Sequence, residues 1–386
     1  MTKLEFHGSS VPTVGIEIEL SLVDGKTMEL SNCIGDVLQR IPGGADEQFK
    51  VELMQCQLEV ITGICQTVGE AEADLREKLI RVEQATDELG LRLFWAGAHP
   101  FSSWQTQKVT PNERYENLVG LLQEMARRLV TCGLHVHVGA DSGDKAVMIC
   151  DRILQHLPML LALSCSSPFW ENRVTGLASF RTKLLEGLPT AGMPPLMRNW
   201  SEYVWLVNHM VDTGFINTVR ELWWDVRPHH KFGTVEVRMC DMPGSLNDVI
   251  AIAALTQCLV VALSEEIDEG TYQYDCHPML VQQNKWRACR FGTRARLVNP
   301  YTHKVQSLGQ IIGTLIEKLL PIAERLGCAG ELMRNQEIAD GPSWADRQLR
   351  ILEETGDCTE IVRQLARGSR LSAPLEGNPA RSGAPS

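Results

Sequence analysis

Four short segments of this chain alternate apolar and polar residues with the period of a β-strand, and their polar positions carry carboxylates, imidazoles and an arginine. They are Val14-Gly15-Ile16-Glu17-Ile18-Glu19-Leu20, Gln57-Leu58-Glu59-Val60-Ile61, Leu134-His135-Val136-His137-Val138 and Thr234-Val235-Glu236-Val237-Arg238-Met239. Residues two apart in a strand point to the same face. Glu17 with Glu19, His135 with His137, and Glu236 with Arg238 therefore project together, while the interleaved Val, Ile and Leu turn the other way. Any one such pair reads as the wet side of a half-exposed strand. Four in one chain, with few Lys or Thr among them, read as a site built on one face of a sheet.

The donor types point to a hard divalent cation, since Mg²⁺ is usually held by a few carboxylates together with water and substrate phosphates. Glu17, Glu19, Glu59 and Glu236, with an imidazole added, suffice for two such ions, and Arg238 places positive charge beside them. Mg²⁺ is the expected ion, with Mn²⁺ as an alternative. Zinc is disfavoured, because structural zinc sites draw on closely spaced Cys and His.

Ordered motifs extend this pattern. They include Glu52-Leu53-Met54-Gln55-Cys56-Gln57-Leu58-Glu59-Val60, Gly133-Leu134-His135-Val136-His137-Val138-Gly139, Ser167-Pro168-Phe169-Trp170 and Ala178-Ser179-Phe180-Arg181. Further on come Arg227-Pro228, Phe232-Gly233-Thr234-Val235-Glu236-Val237-Arg238 and Ala288-Cys289-Arg290-Phe291-Gly292. From about residue 13 to about residue 300 the chain resembles the glutamate-cysteine ligase type 2 family, the carboxylate-amine ligases of the glutamine-synthetase-like superfamily. Each string alone is weak; their number and order carry the resemblance.

The resemblance implies a curved, mainly antiparallel sheet with ATP entering one side, an acid substrate the other, and metals between. Glu17 and Glu19 match the family's Glu-x-Glu metal strand, Glu59 its second acidic strand, His135 its metal imidazole, and Glu236 the carboxylate next to the phosphate-binding arginine, Arg238. His137 shares a face with His135 and is a candidate for either metal or nucleotide. Glu52 matches too, but seven residues before Glu59 it would face the opposite side of an unbroken strand, so it needs a bend or bulge to be a ligand. Arg227 is expected beside Arg238 on the transferring phosphoryl group, because the planar guanidinium fork binds phosphate and carboxylate in pairs of bonds. Arg181 and Arg173 fall in a segment resembling the family's substrate loop, and Arg290 in the downstream Arg-Phe-Gly motif; for each the alternative is a surface cation with a packed stem. Where the family commonly reads Arg-Asp-Thr-Gly, this chain reads Arg173-Val174-Thr175-Gly176, a loss of charge expected to bear on the choice of amine.

Composition fits an enzyme of small molecules. Lys and Arg number 37 against 48 Asp and Glu, a net charge of −11, which argues against a general nucleic-acid or anionic-membrane binder. No stretch reaches the roughly 18 consecutive apolar residues of a membrane span, and the first residues lack the apolar run of a signal peptide, so the expected address is the cytoplasm. The 12 cysteines form no Cys-x-x-Cys pair, and Cys150, Cys165 and Cys258 sit in apolar runs, where cysteine acts as a small hydrophobe. No Walker-type phosphate loop occurs. The expected partners are small acid and amine substrates, with no nucleic acid and no membrane; a homo-oligomer is compatible with the sequence.

The chain reads as one α+β catalytic domain over residues 1–367, with helices on one face of an antiparallel sheet, followed by a disordered Gly/Ser/Pro/Arg-rich tail over 368–386. Helices are expected at 33–40, 68–90, 112–130, 144–164, 200–210, 212–222, 247–268, 305–326 and 345–366, a further strand at 91–98 and a turn at Pro42-Gly43-Gly44. Trp223-Trp224 reads as core or interface. His229-His230 reads as loop, since neighbours in a strand face opposite ways.

The expected function is ATP-dependent activation of a carboxylate, by resemblance the γ-carboxylate of glutamate through an acyl phosphate, and its joining to cysteine or another small amine. A non-catalytic member that binds nucleotide and acid as a sensor or partner protein is the alternative, and a metal-dependent hydrolase a third reading.

Overall fold

The computed structural model describes residues 4–44, 46–271, 277–299 and 302–372. Its centre is a seven-stranded sheet made of β1 (Val14–Asp24), β2 (Phe49–Val51), β3 (Gln57–Ile61), β4 (Leu91–Phe94), β5 (Gly133–Gly139), β10 (Val226–His229) and β11 (Thr234–Asp241). The strands run in the order β10-β11-β5-β1-β3-β2, every pair is antiparallel, and β4 continues the edge of β1 that β5 leaves free. Small ribbons lie outside it: β6 (Phe169–Trp170) with β7 (Arg173–Val174), β8 (Ala191–Gly192) with β9 (Trp223–Trp224), and β12 (Arg296–Val298) with β13 (Val305–Ser307).

Alternation decides which face is which. Ile16, Ile18, Leu20, Leu58, Val60, Leu134, Val138 and Val235 are fully buried and form one continuous core. Onto this face pack α2 (Val68–Glu88), α5 (Gly143–Ile153), α6 (Leu157–Ser164) and α9 (Leu246–Asp268). Helix α9 is long and apolar enough to cross a membrane, but 94% of its most apolar window is buried inside this fold. An outer layer of α11 (Leu308–Leu326) and α12 (Ala329–Asp340) covers it. The rim of the polar face is set by α3 (Glu113–Leu122) and α7 (Phe180–Leu185), and the short α4 (Glu124–Arg127) follows α3. The remaining helices are α1 (Ile34–Arg40), α8 (Trp200–Asp212), α10 (Pro278–Phe291), α13 (Trp344–Thr355) and α14 (Cys358–Gly368).

Several expected helices are shorter than their periodicity suggests, each for a local reason. The 112–130 stretch divides into α3 and α4 at Gln123, which takes a positive φ of 51°. The 144–164 stretch bends by 67° between α5 and α6, where Pro158 occupies the first turn of α6 and cannot donate back to the preceding turn. The second half of 200–222 is a single 3₁₀ turn at Val219–Glu221, because α8 stops at Gly214, φ 74°. Gly356, φ 68°, ends α13 inside the expected 345–366 helix. Residues 305–307 are strand rather than helix, and a capping box at Ser307 starts α11. The strand expected at 91–98 ends at Phe94. Helices α7, α10 and α12 fall outside the expected set.

Residues 368–372, expected in the tail, belong to the fold. Gly368 closes α14, the Arg370 guanidinium pairs with Asp87 (2.9 Å), and the N–H groups of Leu371 and Ser372 donate to the Glu83 carboxylate at 2.9 and 2.7 Å. The remainder of that stretch, 373–386, lies outside the described residues. All described cysteines are free thiols.

Because α9 is packed on every side, Leu255 at its centre is fully buried. Leu255→Ala is expected to cost about 2–5 kcal/mol, read as a lower urea midpoint at unchanged slope.

Candidate active site

The polar face carries one cavity of about 320 Å³. Its chemistry is a set of directly opposed cross-strand neighbours: Glu17 faces His135 across β1 and β5, Glu19 faces Glu59 across β1 and β3, and Glu236 faces His137 across β11 and β5. The rows continue outward, Glu59 to Lys50 on β2 and Glu236 to Arg227 on β10. Opposed residues share a face, so the expected metal strands converge. Glu52 converges as well, and not through a bulge. Strands β2 and β3 are antiparallel, so the chain reverses between Val51 and Gln57 and the loop returns Glu52 to the same face.

Three groups of ligand atoms lie within 4.8 Å of one another: Glu17/Glu59/His135, Glu17/His137/Glu236 and Glu19/Glu52/Glu59. They overlap, with Glu17 in two and Glu59 in two, so the carboxylates make a strip instead of one compact cluster. His135 Nδ1 lies 3.2 Å from Glu17, and His137 Nε2 lies 3.4 Å from Glu17 and 3.7 Å from Glu236. Both imidazoles thus face the strip. His137 Nδ1 is fixed by Thr234 Oγ1 at 3.0 Å, while its Nε2 is buried and hydrogen-bonded to nothing.

The two ends of the strip differ electrostatically. Burial alone would raise the carboxyl pKa of Glu17, but His137 and His135 hold it well below the usual range. Burial likewise opposes ionisation of Glu236, and Arg227 and Arg238 overcome it, so it too lies well below. His137 answers them: burial disfavours its charged form, yet Glu236 and Glu17 raise its pKa, whereas burial and Arg238 lower that of His135. At the other end the charge is under-compensated. Burial and the Glu19 carboxylate push Glu52 up to about 8, and burial, Glu52 and Glu17 push Glu59 well above its usual value. Lys50, 3.8 Å from Glu59 and half exposed, and Arg114 on the cavity wall near Glu52 offset this charge only in part. Three crowded carboxylates with so little counter-charge, and an orphaned imidazole nitrogen beside Glu17 and Glu236, fit hard divalent cations.

Arginine geometry departs from expectation in two places. Arg227 is buried and committed to protein acceptors: Nε and Nη2 donate to Glu236 at 2.7 and 3.3 Å, and Nη1 to the carbonyls of Leu222 and Val219 at 2.8 and 3.3 Å. It braces Glu236 and is not a free cation for a phosphoryl group. Arg238 contacts Glu236 through Nη1 and keeps a partly exposed side chain in the cavity. Beyond it β11 bulges, three residues from Val237 to Cys240 passing two of β5, and the displaced Arg238 N–H donates to the Asp225 carbonyl at 2.8 Å. Arg181 is in place, buried on α7, with Nη1 and Nη2 donating to the carbonyls of Met239 and Arg238 at 3.2 and 3.4 Å. Gly133 makes its space: a Cβ there would stand 2.1 Å from Arg181 Nη2, and the Gly133 N–H donates to Glu19 at 2.6 Å.

Arg173 and Arg290 do not line the cavity. Arg173 is exposed in the β6–β7 hairpin, next to Val174 at 54% exposure, and Arg290 lies over the Phe291 ring. Val174 is therefore an exposed hairpin position and not the place of a partner lost by a buried cation. His229 closes β10 and lines the cavity, stacked on Phe232 at 4.1 Å, so it is strand and not loop; Trp223 and Trp224 line it as well. Sequence reasoning missed Asp225, Glu186 and Lys285. Lys285, buried on α10, bonds Asp225 at 2.5 Å and Glu186 at 2.8 Å, and both acids line the cavity. An isolated Lys in a mixed helix carries no signal of such a clamp.

The antiparallel sheet with its helix-covered apolar face has the fold of a solved glutamate–cysteine ligase. Residues 13–364 match the glutamate-cysteine ligase family 2, and the chain belongs to that family. It is accordingly an ATP-dependent carboxylate-amine ligase. Among similar proteins is the "Putative glutamate--cysteine ligase 2" of Thermobifida fusca (strain YX), 38% identical over 393 residues, covering 99% of this chain and 98% of that protein. A protein of the same name from Gloeobacter violaceus is 38% identical over 367 residues, 95% of this chain and 99% of the other. In fold, the glutamate–cysteine ligase of Francisella tularensis, solved with AMP, superposes with a TM-score of 0.71 at 11% identity, over 95% of this chain and 91% of that one. A bifunctional glutathione synthetase from Pasteurella multocida gives 0.66 at 16% identity, over 92% of this chain and 52% of that one.

The Gly133 contacts make a direct test. Gly133→Ala is expected to displace Arg181 and the Glu19 partner together, lowering turnover by about a hundredfold while circular dichroism and the urea midpoint show a folded chain.

Proposed function

We propose that this chain transfers the γ-phosphoryl group of ATP to the γ-carboxylate of glutamate and joins the activated acid to cysteine or another small amine. The observation that carries this reading is the carboxylate strip, anionic and arginine-braced at its Glu236 end and under-neutralised at its Glu52/Glu59 end. Such a strip suits two anions brought together through divalent cations. Glu19, Glu52 and Glu59 would hold one Mg²⁺ or Mn²⁺, and Glu17, Glu236 and His137 or His135 another; when bound, such ions neutralise phosphate oxygens during transfer.

The residues of the chain then divide the work. Arg238 donates its fork to the transferring phosphoryl group, charge that is worth most in a partly buried site. Glu236 orients Arg238, and Arg227 holds Glu236 ionised and still. Arg181, fixed by two backbone carbonyls under Gly133, offers positive charge at the Glu19 end, where an acid substrate would lie. A carboxylate oxygen attacks the γ-phosphorus as the bond to ADP breaks. The amine nitrogen then attacks the acyl carbon, phosphate leaves with the acyl C–O bond, and the nitrogen loses a proton. A pure sensor has no need for such a phosphoryl-transfer set, which favours catalysis over the binding-only alternative.

Incubation with ATP, Mg²⁺ and glutamate, with and without cysteine, followed by mass spectrometry, is expected to show ADP release that depends on amine and a matching γ-amide. Turnover that proceeds equally in water alone overturns the reading. Glu17→Gln and Glu236→Gln keep shape and remove charge, and each is expected to lower turnover by about a hundredfold or more; near-normal rates at saturating Mg²⁺ contradict the assignment. Arg238→Lys keeps charge but loses the fork, so kcat is expected to fall about a hundredfold with little change in the KM of the amine. A change mainly in that KM would place Arg238 in the acceptor pocket.

A further inference from the structure

A second cavity, of about 140 Å³, lies between α6, α10, β12 and α11 and shares no lining residue with the catalytic one. Its walls are largely apolar, with Met159, Leu297 and Leu315 buried, and the exposed Lys318 stands at its mouth. His156 lines it at the bend between α5 and α6. This residue is 8% exposed, and its Nδ1 is buried with no hydrogen-bond partner among the described residues. Buried polar atoms are nearly always partnered, and leaving one bare is costly. Asn284 also lines the cavity but spends both amide atoms on the backbone of Val298, at 2.8 Å each. Burial and Lys318 push the His156 imidazole down to about 4, so the ring is neutral and can meet a hydroxyl as donor or acceptor.

Helix α10 connects the two cavities. Asn284 faces the second, and the next residue, Lys285, clamps Asp225 and Glu186 in the first. The Asp225 carbonyl in turn holds the Arg238 N–H at the β11 bulge. A chain of packed and hydrogen-bonded groups thus runs from the second cavity through α10 to the backbone that carries Arg238.

We propose that this cavity is an effector site for a compact, neutral molecule of roughly benzene size bearing one hydroxyl, with the hydroxyl on His156 Nδ1 and the apolar body against Met159, Leu297 and Leu315. Its coupling to the catalytic cavity rests on the ligase reading; the binding itself does not.

Phenol is the probe, and toluene, similar in size but without a hydroxyl, is the control. Each is titrated into the full chain while the His156 ring resonances are followed, and the Kd for ATP is measured by calorimetry in the same samples. Phenol is expected to bind saturably, one molecule per chain and about tenfold tighter than toluene, and to change the Kd for ATP severalfold. Leu297→Phe fills the cavity and is expected to abolish the phenol response. His156→Leu is expected to remove the preference for phenol while toluene still binds, and both variants should keep the wild-type ATP affinity without phenol. Absence of a saturable His156 shift, an equal response in Leu297→Phe, or an unchanged ATP Kd at saturating phenol overturns the proposal. Failure of the unliganded chain to bind ATP would instead overturn the ligase reading, on which the resonance titration does not depend.

Discussion

Register is the constraint on which everything else in this molecule rests. The active face exists because β1 pairs without slip against β3 on one edge and β5 on the other, and β5 pairs against β11 up to the bulge. A shift of one residue in any pair would carry that strand's carboxylates or imidazoles into the core and its Ile and Val into the cavity. The apolar face prevents this. Fully buried Ile16, Ile18, Leu134 and Val235 hold the strands against α2 and α9, so the driving force that buries one face also aligns the other.

That coupling explains how much of the site is legible in the sequence. Period-two alternation gives the face of a residue directly, so Glu17, Glu19, Glu59, His135, His137, Glu236 and Arg238 group together on pattern alone. Glu52 is harder, because its place depends on a chain reversal at residues 52–56 that no periodicity records. Arg227 is assigned by its neighbourhood, and only cross-strand pairing shows that Glu236 claims its fork. Arg173 and Arg290 are carried by motif strings, which say nothing of exposure. Asp225 and Lys285 meet across 60 residues of sequence, a contact of tertiary packing alone.

Helix boundaries depart from expectation for a related reason. Apolar spacing persists through 112–130, 144–164 and 345–366, yet Gln123, Pro158 and Gly356 break or bend each run. In each case backbone conformation at one residue outweighs the spacing of the whole run. The α5–α6 bend carries His156 to the wall of the second cavity, and α3 carries Tyr115 and Leu118 to the wall of the catalytic one.

The docking of residues 370–372 on α2 has a consequence for the order of assembly during synthesis. Glu83 is 4% exposed in the finished fold, and its carboxylate receives the N–H groups of Leu371 and Ser372, 288 and 289 positions away along the chain. While the ribosome is still extending the chain, α2 can seat its apolar side on the early strands, but Glu83 has no backbone donors to accept and Asp87 lacks its Arg370 partner. Domains fold as units as they emerge, and these contacts to the first long helix can form only after residue 372 has been made, whereas the Arg92–Asp87 pair (2.9 Å) is available earlier. The contacts that cover this side of α2 therefore come last in the order of synthesis, after every strand of the catalytic sheet.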